Sequence, residues 1–409
     1  MSGSRVIPSS PISSRALPPP FDTGLATIIT LPQPLRRRVL AMGSEAKNRI
    51  ALGVGSTITL SPPSGELSAP EARQRLEEAV AHLRDDPATA PEVIAVDLHP
   101  DLFPSILGRR LAASWEIPVV AVQHHHAHGA AGLAEHALAA GLAVVFDGLG
   151  WGPDGRLWGA ELLRIGPDGF SRLGTFAPVP LPGGDAAVRE PRRQLVGRWV
   201  AAGIEPPPAW RESCGVSEPE AGIWAHQCRR GVLAPVSHAA GRLFDAFAAW
   251  LGVAPTTIAH EGEAAMRLEA EARRWTDNDC QRTVSFARRE AEGLLEIDWS
   301  AAFRLPPPAR EMPRGEAPTR KAASARAEWA MAFHRAMAQA IGEMAAWGIA
   351  RTGLTTVILS GGVFFNTVLC ELVIPELASI GGSPLFHRQV ATGDAGIALG
   401  QAWIAGGNP

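Results

Sequence analysis

Short apolar strands that stop at a polar or glycine-rich tip recur along this chain, and this pattern constrains its fold most strongly. Residues 93–96 form one such strand and stop at Asp97, and residues 119–122 form another, which runs into a histidine-rich helix start. Helical patterns separate these strands, and the alternation is typical of a parallel or mixed sheet covered by helices. Ligands of open α/β sheets bind outside the carboxyl ends of the strands, so several such tips predict one composite site.

The composition excludes several classes of protein. The 409 residues carry a formal net charge of −3 with a pI near 6.5, which gives no general attraction to nucleic acid or anionic membranes. No apolar run approaches the roughly 20 residues that a membrane helix needs. The four cysteines form no Cys-x-x-Cys pair, so neither a zinc ribbon nor a thioredoxin-like motif is supported. We expect a cytoplasmic protein without a nucleic-acid or membrane partner.

The chain divides into three predicted segments. Residues 1–35 are rich in proline and serine and are predicted to be a disordered arm, because they cannot bury enough apolar surface to offset the entropy of ordering. Residues 36–141 are predicted to form a first lobe, and residues 142–409 a second lobe. Within the second lobe, residues 165–235 show weak periodicity, and we interpret them as an insertion over the site.

The histidine-rich helix start is the clearest candidate for a metal site. His124 and His128 lie four residues apart, so both imidazoles project from one face of the helix, as a pair of metal ligands would. Asp147 and Asp394, at predicted turns, are candidates to complete the site. Imidazole with carboxylate suits Fe(II) or Zn, with Mn or Mg as further candidates, and does not choose among them. A lone histidine more often has a structural role, but four histidines within residues 124–128 favour metal binding.

Two glycine-rich tips are candidates for phosphate or nucleotide binding, because their backbone N–H groups can approach an anion. Glycine-rich turns after strands are also common without any ligand, so the pattern alone leaves both interpretations open. The chain has no Gly-x-x-x-x-Gly-Lys-Ser/Thr loop, which disfavours a P-loop NTPase. The candidate residues at the two tips are Gly148, Gly150, Ser360, Gly361, Gly362 and Asn366.

Residues 180–193 combine two turns with three arginines, of which Arg189 is the candidate catalytic residue. Arginine is the preferred planar partner of phosphate or carboxylate oxygens. A surface loop with solvated charges explains the same composition, and this alternative stays open.

Taken together, these and further stretches resemble the HypF family of [NiFe]-hydrogenase maturation carbamoyltransferases. The motifs follow the family's order across roughly residues 38–404. The stretches that carry the resemblance are residues 40–48, 97–101, 122–128, 147–152, 158–161, 180–185, 241–246, 261–265, 360–366 and 393–400.

The resemblance implies an α/β, two-lobed actin/hexokinase-like ATPase (ASKHA) fold with a family-specific insertion. It also implies that His124, His128 and Asp394 bind a divalent metal, with Asp147 as the candidate fourth ligand. Together with Arg189, these four residues are the expected catalytic set. The residues implied to contact ATP or AMP are Gly148, Gly150, Asp245 on the ribose, Gly262, Gly361, Gly362 and Asn366, and Ser360 at the second tip is added to this set as a candidate.

The reaction that the resemblance implies is carbamoyl transfer from a carbamoyl-adenylate, which is formed from carbamoyl phosphate and ATP. In HypF the acceptor is the C-terminal cysteine thiol of HypE, whose product is later dehydrated to the thiocyanate that supplies cyanide. A full HypF also has acylphosphatase, zinc-finger and YrdC-like domains, so we expect a truncated form that keeps only the catalytic module. A stand-alone carbamoyl-phosphate phosphatase, a small-molecule O-carbamoyltransferase and a non-catalytic HypE-binding scaffold remain open as alternatives.

Overall fold

A computed structural model of the chain describes residues 19–21, 24–276, 280–306 and 320–407. Two β-sheets with helices packed on their faces form the architecture. Across the described ranges, no helix is both long enough and apolar enough to cross a membrane.

The first sheet has six strands in the order β1-β4-β3-β2-β5-β6. Strands β2, β5 and β6 are parallel, and the other pairs are antiparallel. Parallel pairing brings the carboxyl ends of β5 and β6 to the same edge, where Asp97 lies opposite Val122. The elements of this part are β1 Thr27–Thr30, β2 Val39–Ala41, β3 Ala51–Val54, β4 Thr57–Leu60, α1 Pro70–Ala81, β5 Val93–Asp97, α2 Phe103–Trp115, β6 Val119–Val122 and α3 His124–Glu135.

Strand β1 corrects the prediction that residues 1–35 form a disordered arm. It pairs antiparallel with β4, and Ile29, Leu31 and Leu35 are buried against the first sheet. The β-branched run of β1 supplies an edge strand, which the high proline and serine content of the whole segment concealed. The prediction for residues 1–18 lies outside the described residues.

The second sheet has the strand order β12-β13-β9-β8-β7-β14-β15, with β10 and β11 attached beside β8. Strand β7 is an inner strand of this sheet and pairs parallel with β14 and antiparallel with β8. Its strands are β7 Gly141–Trp151, β8 Leu157–Gly166, β9 Gly169–Phe176, β10 Val179–Pro180, β11 Val236–Ser237, β12 Ala287–Ala291, β13 Leu294–Asp298, β14 Thr356–Ser360 and β15 Ser383–Phe386.

Helices cover the second sheet and connect it to the first. Residues 165–235, the predicted insertion, contain β9 and β10 and helices α4 to α7, and β9 is an inner strand of the sheet. The helices are α4 Asp185–Arg189, α5 Pro191–Ala201, α6 Pro208–Cys214, α7 Glu218–Arg230, α8 Ala240–Leu251, α9 Glu263–Ala272, α10 Ser300–Phe303, α11 Arg320–Thr352, α12 Thr367–Ser379 and α13 Ile397–Ala405.

Helix α13 packs directly on α3, and a glycine makes the close approach feasible. A Cβ at Gly400 would lie 1.9 Å from the carbonyl oxygen of Ala127, so a larger residue would push the two helices apart. Helix α3 carries His124 and His128 on its first turns, and Asp394 immediately precedes α13. The packing of α13 on α3 therefore brings the end of the chain to the histidine pair.

The glycine-rich tip at residues 148–150 is an irregularity within a strand, whereas the sequence predicted a turn. Strand β7 continues to Trp151, and its register with β8 shifts between Phe146 and Gly150. Extra residues on one strand of an antiparallel pair bend that strand and re-aim its side chains. The shift lies at Asp147, at the edge where the carboxyl end of β14 also lies.

Candidate metal and nucleotide site

The structure brings together all four side chains that the sequence suggested as metal ligands. His124, His128, Asp147 and Asp394 each offer one nitrogen or oxygen atom, and these atoms all lie within 4.8 Å of one another. The Nε2 atoms of the two histidines lie 3.4 and 3.7 Å from Oδ2 of Asp147 and 3.8 and 3.7 Å from Oδ1 of Asp394. Neither Nε2 atom has a hydrogen-bond partner, so the four atoms surround a common point without hydrogen bonds to each other.

The unused atoms of the cluster fit a divalent cation. Nε2 of His124 and Nε2 of His128 are buried and have no hydrogen-bond partner. A buried polar atom without a partner costs free energy, and coordination of a cation at this point would satisfy both nitrogens at once. Two imidazoles and two carboxylates suit a first-row transition metal and do not distinguish Fe(II) from Zn.

Backbone and hydroxyl donors hold the two carboxylates so that each presents its second oxygen to the centre. The Gly362 N–H donates to Oδ1 of Asp147 at 2.9 Å, and the Ser44 hydroxyl donates to Oδ2 of Asp394 at 2.8 Å. The remaining oxygens, Oδ2 of Asp147 and Oδ1 of Asp394, are those that face the histidines. Each carboxylate is thus oriented before any ligand binds.

Asp97 joins the site, although the sequence marked it only as a strand tip and as part of a family motif, without a role at the site. Its Oδ2 lies 2.8 Å from Nδ1 of His124, because β5 and β6 end at the same edge and α3 starts directly after β6. A carboxylate in this position selects the tautomer with the proton on Nδ1 and leaves Nε2 free to bind a metal. Parallel pairing of the two strands is the signal that could have placed Asp97 here.

Without a bound metal, the environment of the cluster favours the protonated form of its histidines and the ionised form of Asp147. Burial opposes a charge on His124, but the carboxylates of Asp147 and Asp97 outweigh it and raise the pKa of His124 well above its ordinary value. Asp147 and Asp394 likewise overcome the effect of burial and raise the pKa of His128. Although burial favours the neutral acid, His124 and His128 hold the pKa of Asp147 well below its ordinary value. The cluster is therefore a set of buried ion pairs that a cation can replace.

A large cleft of about 410 Å³ opens on one side of the cluster. Its walls include apolar side chains, of which Met266 and Phe365 are largely exposed. Asn366 also caps α12, because its side-chain oxygen accepts a hydrogen bond from the Leu369 N–H at 2.9 Å. The predicted nucleotide residues that line this cleft are Gly148, Asp245, Gly262, Gly362 and Asn366.

Other predicted nucleotide residues do not line the large cleft. Gly150 lines a different cleft. Ser360 is fully buried, and its hydroxyl faces the histidines behind the sheet edge. Gly361 has a φ of 99°, and a Cβ there would lie 2.2 Å from the carbonyl oxygen of Phe146, so close packing on β7 explains this glycine.

A second cleft of about 220 Å³ opens beside His124. It is lined by His99, Gly150 and Trp151 and by Val188, which precedes the predicted catalytic residue Arg189. Arg189 itself is exposed and lines neither cleft, so the structure does not bring it to the cluster. The residues common to both clefts are Gly148, Arg242, Glu261 and Asp394.

Arg242 lies where the two clefts meet, and the sequence analysis did not single it out. It is buried, and its Nη2 lies 3.1 Å from Oδ2 of Asp245, one helical turn further along α8. Its Nε and Nη1 are buried and have no partner. Burial raises the pKa of Asp245, and Arg242 offsets part of that rise. Two free donors on a buried guanidinium between the clefts form a place for an oxyanion.

Comparison with protein families identifies this arrangement. A family model of the HypF Kae1-like domain matches residues 34–135. A model described as carbamoyltransferase, Kae1-like domain, second subdomain matches residues 143–401. The chain belongs to the HypF family. The family that the sequence motifs suggested is thereby confirmed.

Individual HypF relatives differ in length. The carbamoyltransferase HypF homolog of Cupriavidus necator is 39% identical over 381 residues, which cover 91% of this chain and 92% of that protein. The carbamoyltransferase HypF of Rhodobacter capsulatus is 35% identical, and the match covers 95% of this chain and 48% of the relative. The chain thus spans about half the length of the longer HypF relatives.

Solved HypF structures share the fold. A crystal structure of full-length HypF in the phosphate- and nucleotide-bound form matches with a TM-score of 0.78 and 27% identity, covering 93% of this chain and 47% of that one. HypF of T. kodakarensis matches with a TM-score of 0.77 and 28% identity, covering 93% of this chain and 49% of that one. The predicted α/β fold of the HypF family is confirmed.

Proposed function

We propose that this chain transfers a carbamoyl group from a carbamoyl-adenylate to the C-terminal cysteine thiol of a HypE-like acceptor protein. One observation carries the proposal: the cluster of metal-ligand residues lies where two clefts meet, and Asp394 lines both. A group-transfer enzyme needs this arrangement, because donor and acceptor must approach the same reacting carbon from different sides.

The large cleft suits the adenylate half of the donor. Its apolar wall suits the adenine ring, and Asp245, which is buried within the cleft, is placed to accept a hydrogen bond from a ribose hydroxyl. Gly148 and Gly362 allow backbone to approach the phosphate closely. The HypF protein that was crystallised with phosphate and nucleotide supports this use of the cleft.

The place where the two clefts meet suits the reacting carbon and the leaving phosphate. A divalent cation bound by His124, His128, Asp147 and Asp394 would supply Lewis-acid polarisation of the carbamoyl carbonyl. The free Nε and Nη1 of Arg242 would hold the phosphate oxygens on which negative charge develops as AMP leaves. In the transfer, the acceptor sulfur bonds to the carbamoyl carbon as the bond from that carbon to the phosphate oxygen breaks. AMP leaves with the electron pair of that bond, and the acceptor attacks as the thiolate after its thiol has given its proton to water.

A turnover assay with three separate readouts tests the proposal. Carbamoyl-adenylate, or carbamoyl phosphate with ATP, is supplied with a HypE-like acceptor, and phosphate, AMP and the mass of the acceptor are followed. The expected result with the adenylate is AMP release matched by one carbamoyl group on the terminal cysteine. His124→Ala should abolish transfer, whereas His82→Ala, at an exposed histidine remote from both clefts, should not.

Other outcomes would replace the proposal. Phosphate release from carbamoyl phosphate without any labelled acceptor would favour a carbamoyl-phosphate phosphatase. Labelling of a small hydroxylated compound in preference to the protein thiol would favour an O-carbamoyltransferase. Tight binding of the acceptor without turnover of either donor would favour a scaffold.

A further inference from the structure

The second ring nitrogen of His128 is connected to a buried carboxylate through two other side chains. Nδ1 of His128 lies 3.4 Å from the Ser360 hydroxyl, which lies 2.9 Å from Nε2 of His387. Nδ1 of His387 lies 2.8 Å from Oε2 of Glu135. The side chains of His387 and Glu135 are 2% and 1% exposed, so water does not compete for these contacts.

The carboxylate at one end of this series of hydrogen bonds determines which atom donates at each contact. Glu135 is a carboxylate whose pKa is lowered: burial opposes ionisation, but hydrogen bonds from His387 and from the backbone of Gln389 and Arg388 outweigh it. It therefore accepts the Nδ1–H of His387, and Nε2 of that ring, at 2.9 Å, is then the nearer of two acceptors for the Ser360 hydroxyl, the other being the carbonyl oxygen of Thr392 at 3.3 Å. The Ser360 oxygen can then accept the Nδ1–H of His128, which leaves Nε2 of His128 as a lone pair.

Glu135 has a second contact that must be separated from the first. Its Oε1 accepts hydrogen bonds from the backbone N–H groups of Arg388, at 2.6 Å, and of Gln389. These bonds hold the start of the loop that leads to Asp394. One carboxylate oxygen thus serves the loop, and the other serves His387.

We propose that Ser360, His387 and Glu135 are positioning residues for the metal site. They hold His128 in the tautomer that presents Nε2 to the cation. Through the hydrogen bonds of His387 and Ser360, the carboxylate of Glu135 also favours the Nδ1–H form of that ring. The inference rests on the metal site of the proposed function. Asp97 acts on His124 by direct contact, so each histidine ligand has its own carboxylate. Such outer partners orient ligating imidazoles and raise their basicity.

Glu135→Gln separates the two contacts of Glu135. A glutamine can keep a carbonyl oxygen toward the loop amides and then places an N–H group opposite Nδ1 of His387. That ring must then accept at Nδ1 and donate from Nε2 toward Ser360, which reverses the direction of the chain. Ser360→Ala interrupts the same chain and leaves the contact of Glu135 with the loop in place. Ser61→Ala is the matched control, because Ser61 is a buried serine with two hydrogen bonds in the first sheet.

The measurement is titration of the metal-free 409-residue chain with Co²⁺ alone, followed by its visible absorption band and by calorimetry. Ser360→Ala and Glu135→Gln should each weaken Co²⁺ binding by about 10–100-fold and shift the absorption band of the bound ion. Ser61→Ala should bind Co²⁺ like the wild type. If Ser360→Ala does not fold, Glu135→Gln decides the question alone.

Three results would overturn the inference, and they are distinguishable. If Ser360→Ala and Glu135→Gln both bind Co²⁺ with the affinity and spectrum of the wild type, the positioning role is removed. The metal site of the proposed function would remain intact. Absence of Co²⁺ binding by the wild type would remove the metal site and the positioning role together. An equal loss in Ser61→Ala would reduce the effect to general destabilisation and would also contradict the inference.

Discussion

Oδ2 of Asp97 lies 2.8 Å from Nδ1 of His124, and both side chains are more than nine-tenths buried. Asp97→Asn should therefore weaken metal binding by about 10–100-fold, because an amide no longer selects the tautomer that frees Nε2 of His124. Asp101→Asn, the same change at a nearby exposed residue, should have no effect. Equilibrium titration of both variants with a divalent metal measures the two affinities. Equal metal affinity in Asp97→Asn and Asp101→Asn would argue against a role for Asp97.

The approach of α13 to α3 gives a prediction about stability. Gly400→Ala should lower the free energy of unfolding by about 1–3 kcal/mol, because its Cβ would meet the carbonyl oxygen of Ala127 and force the helices apart. The same change should weaken metal binding, since it displaces Asp394 from the histidines. Gly222→Ala is the control, because it lies within α7 with open space around it and should not destabilise. Thermal or urea unfolding measures the stability of both variants. A larger loss of stability in Gly222→Ala than in Gly400→Ala would contradict the close packing of α13 on α3.

Nucleotide binding in the large cleft is testable without an acceptor. A ligand that binds only the folded chain stabilises it by about 2.7 kcal/mol at a hundredfold excess over Kd, so AMP or ATP should raise the melting temperature. Asp245→Asn should weaken this affinity by ~1.5–3 kcal/mol, the range for a hydrogen bond to a charged group. Metal content should stay unchanged. Asp185→Asn, an exposed change outside both clefts, serves as control. An unchanged nucleotide shift in Asp245→Asn would place the ribose elsewhere.

Metal affinity should rise with pH. The pKa values of His124 and His128 are raised by the neighbouring carboxylates despite burial, so the metal-free site holds protons above the ordinary histidine value of 6.5. A metal must displace these protons, and binding should tighten as pH rises through the raised values. The ion pairs of the metal-free site stabilise the fold fully below about pH 6.5, and this contribution is lost as pH rises through the same values. Calorimetric titrations across this range that show constant affinity would contradict the ion-pair description.

The sequence allowed prediction of those parts of the site that depend on local order. His124 and His128 share a helix face by their spacing, and Asp147 comes directly after the apolar run of β7, so their placement needs only the period of each element. Parallel pairing of neighbouring strands then brings the tips to one edge, as the strand-and-helix alternation indicated. The fold class followed from the same alternation together with the family motifs.

The remaining parts depend on contacts between distant segments. The side of β14 on which Ser360 lies is set by the sheet's register, and a strand tip alone does not indicate whether it faces the cleft or the histidines. Arg242 gains its role from burial between two clefts, which no local pattern encodes. Strand β1 is stabilised by pairing with β4, and its surrounding composition resembles a disordered segment.

The number of divalent cations bound per chain tests the central claim most directly. The metal-free wild type is dialysed against Co²⁺ or Zn²⁺, and the double variant His124→Ala, Asp394→Ala is treated in parallel. Circular dichroism establishes that both are folded. We predict one tightly bound ion in the wild type and none in the double variant. Equal binding in the two proteins would contradict the assignment of the cluster at the junction of the clefts as the metal site.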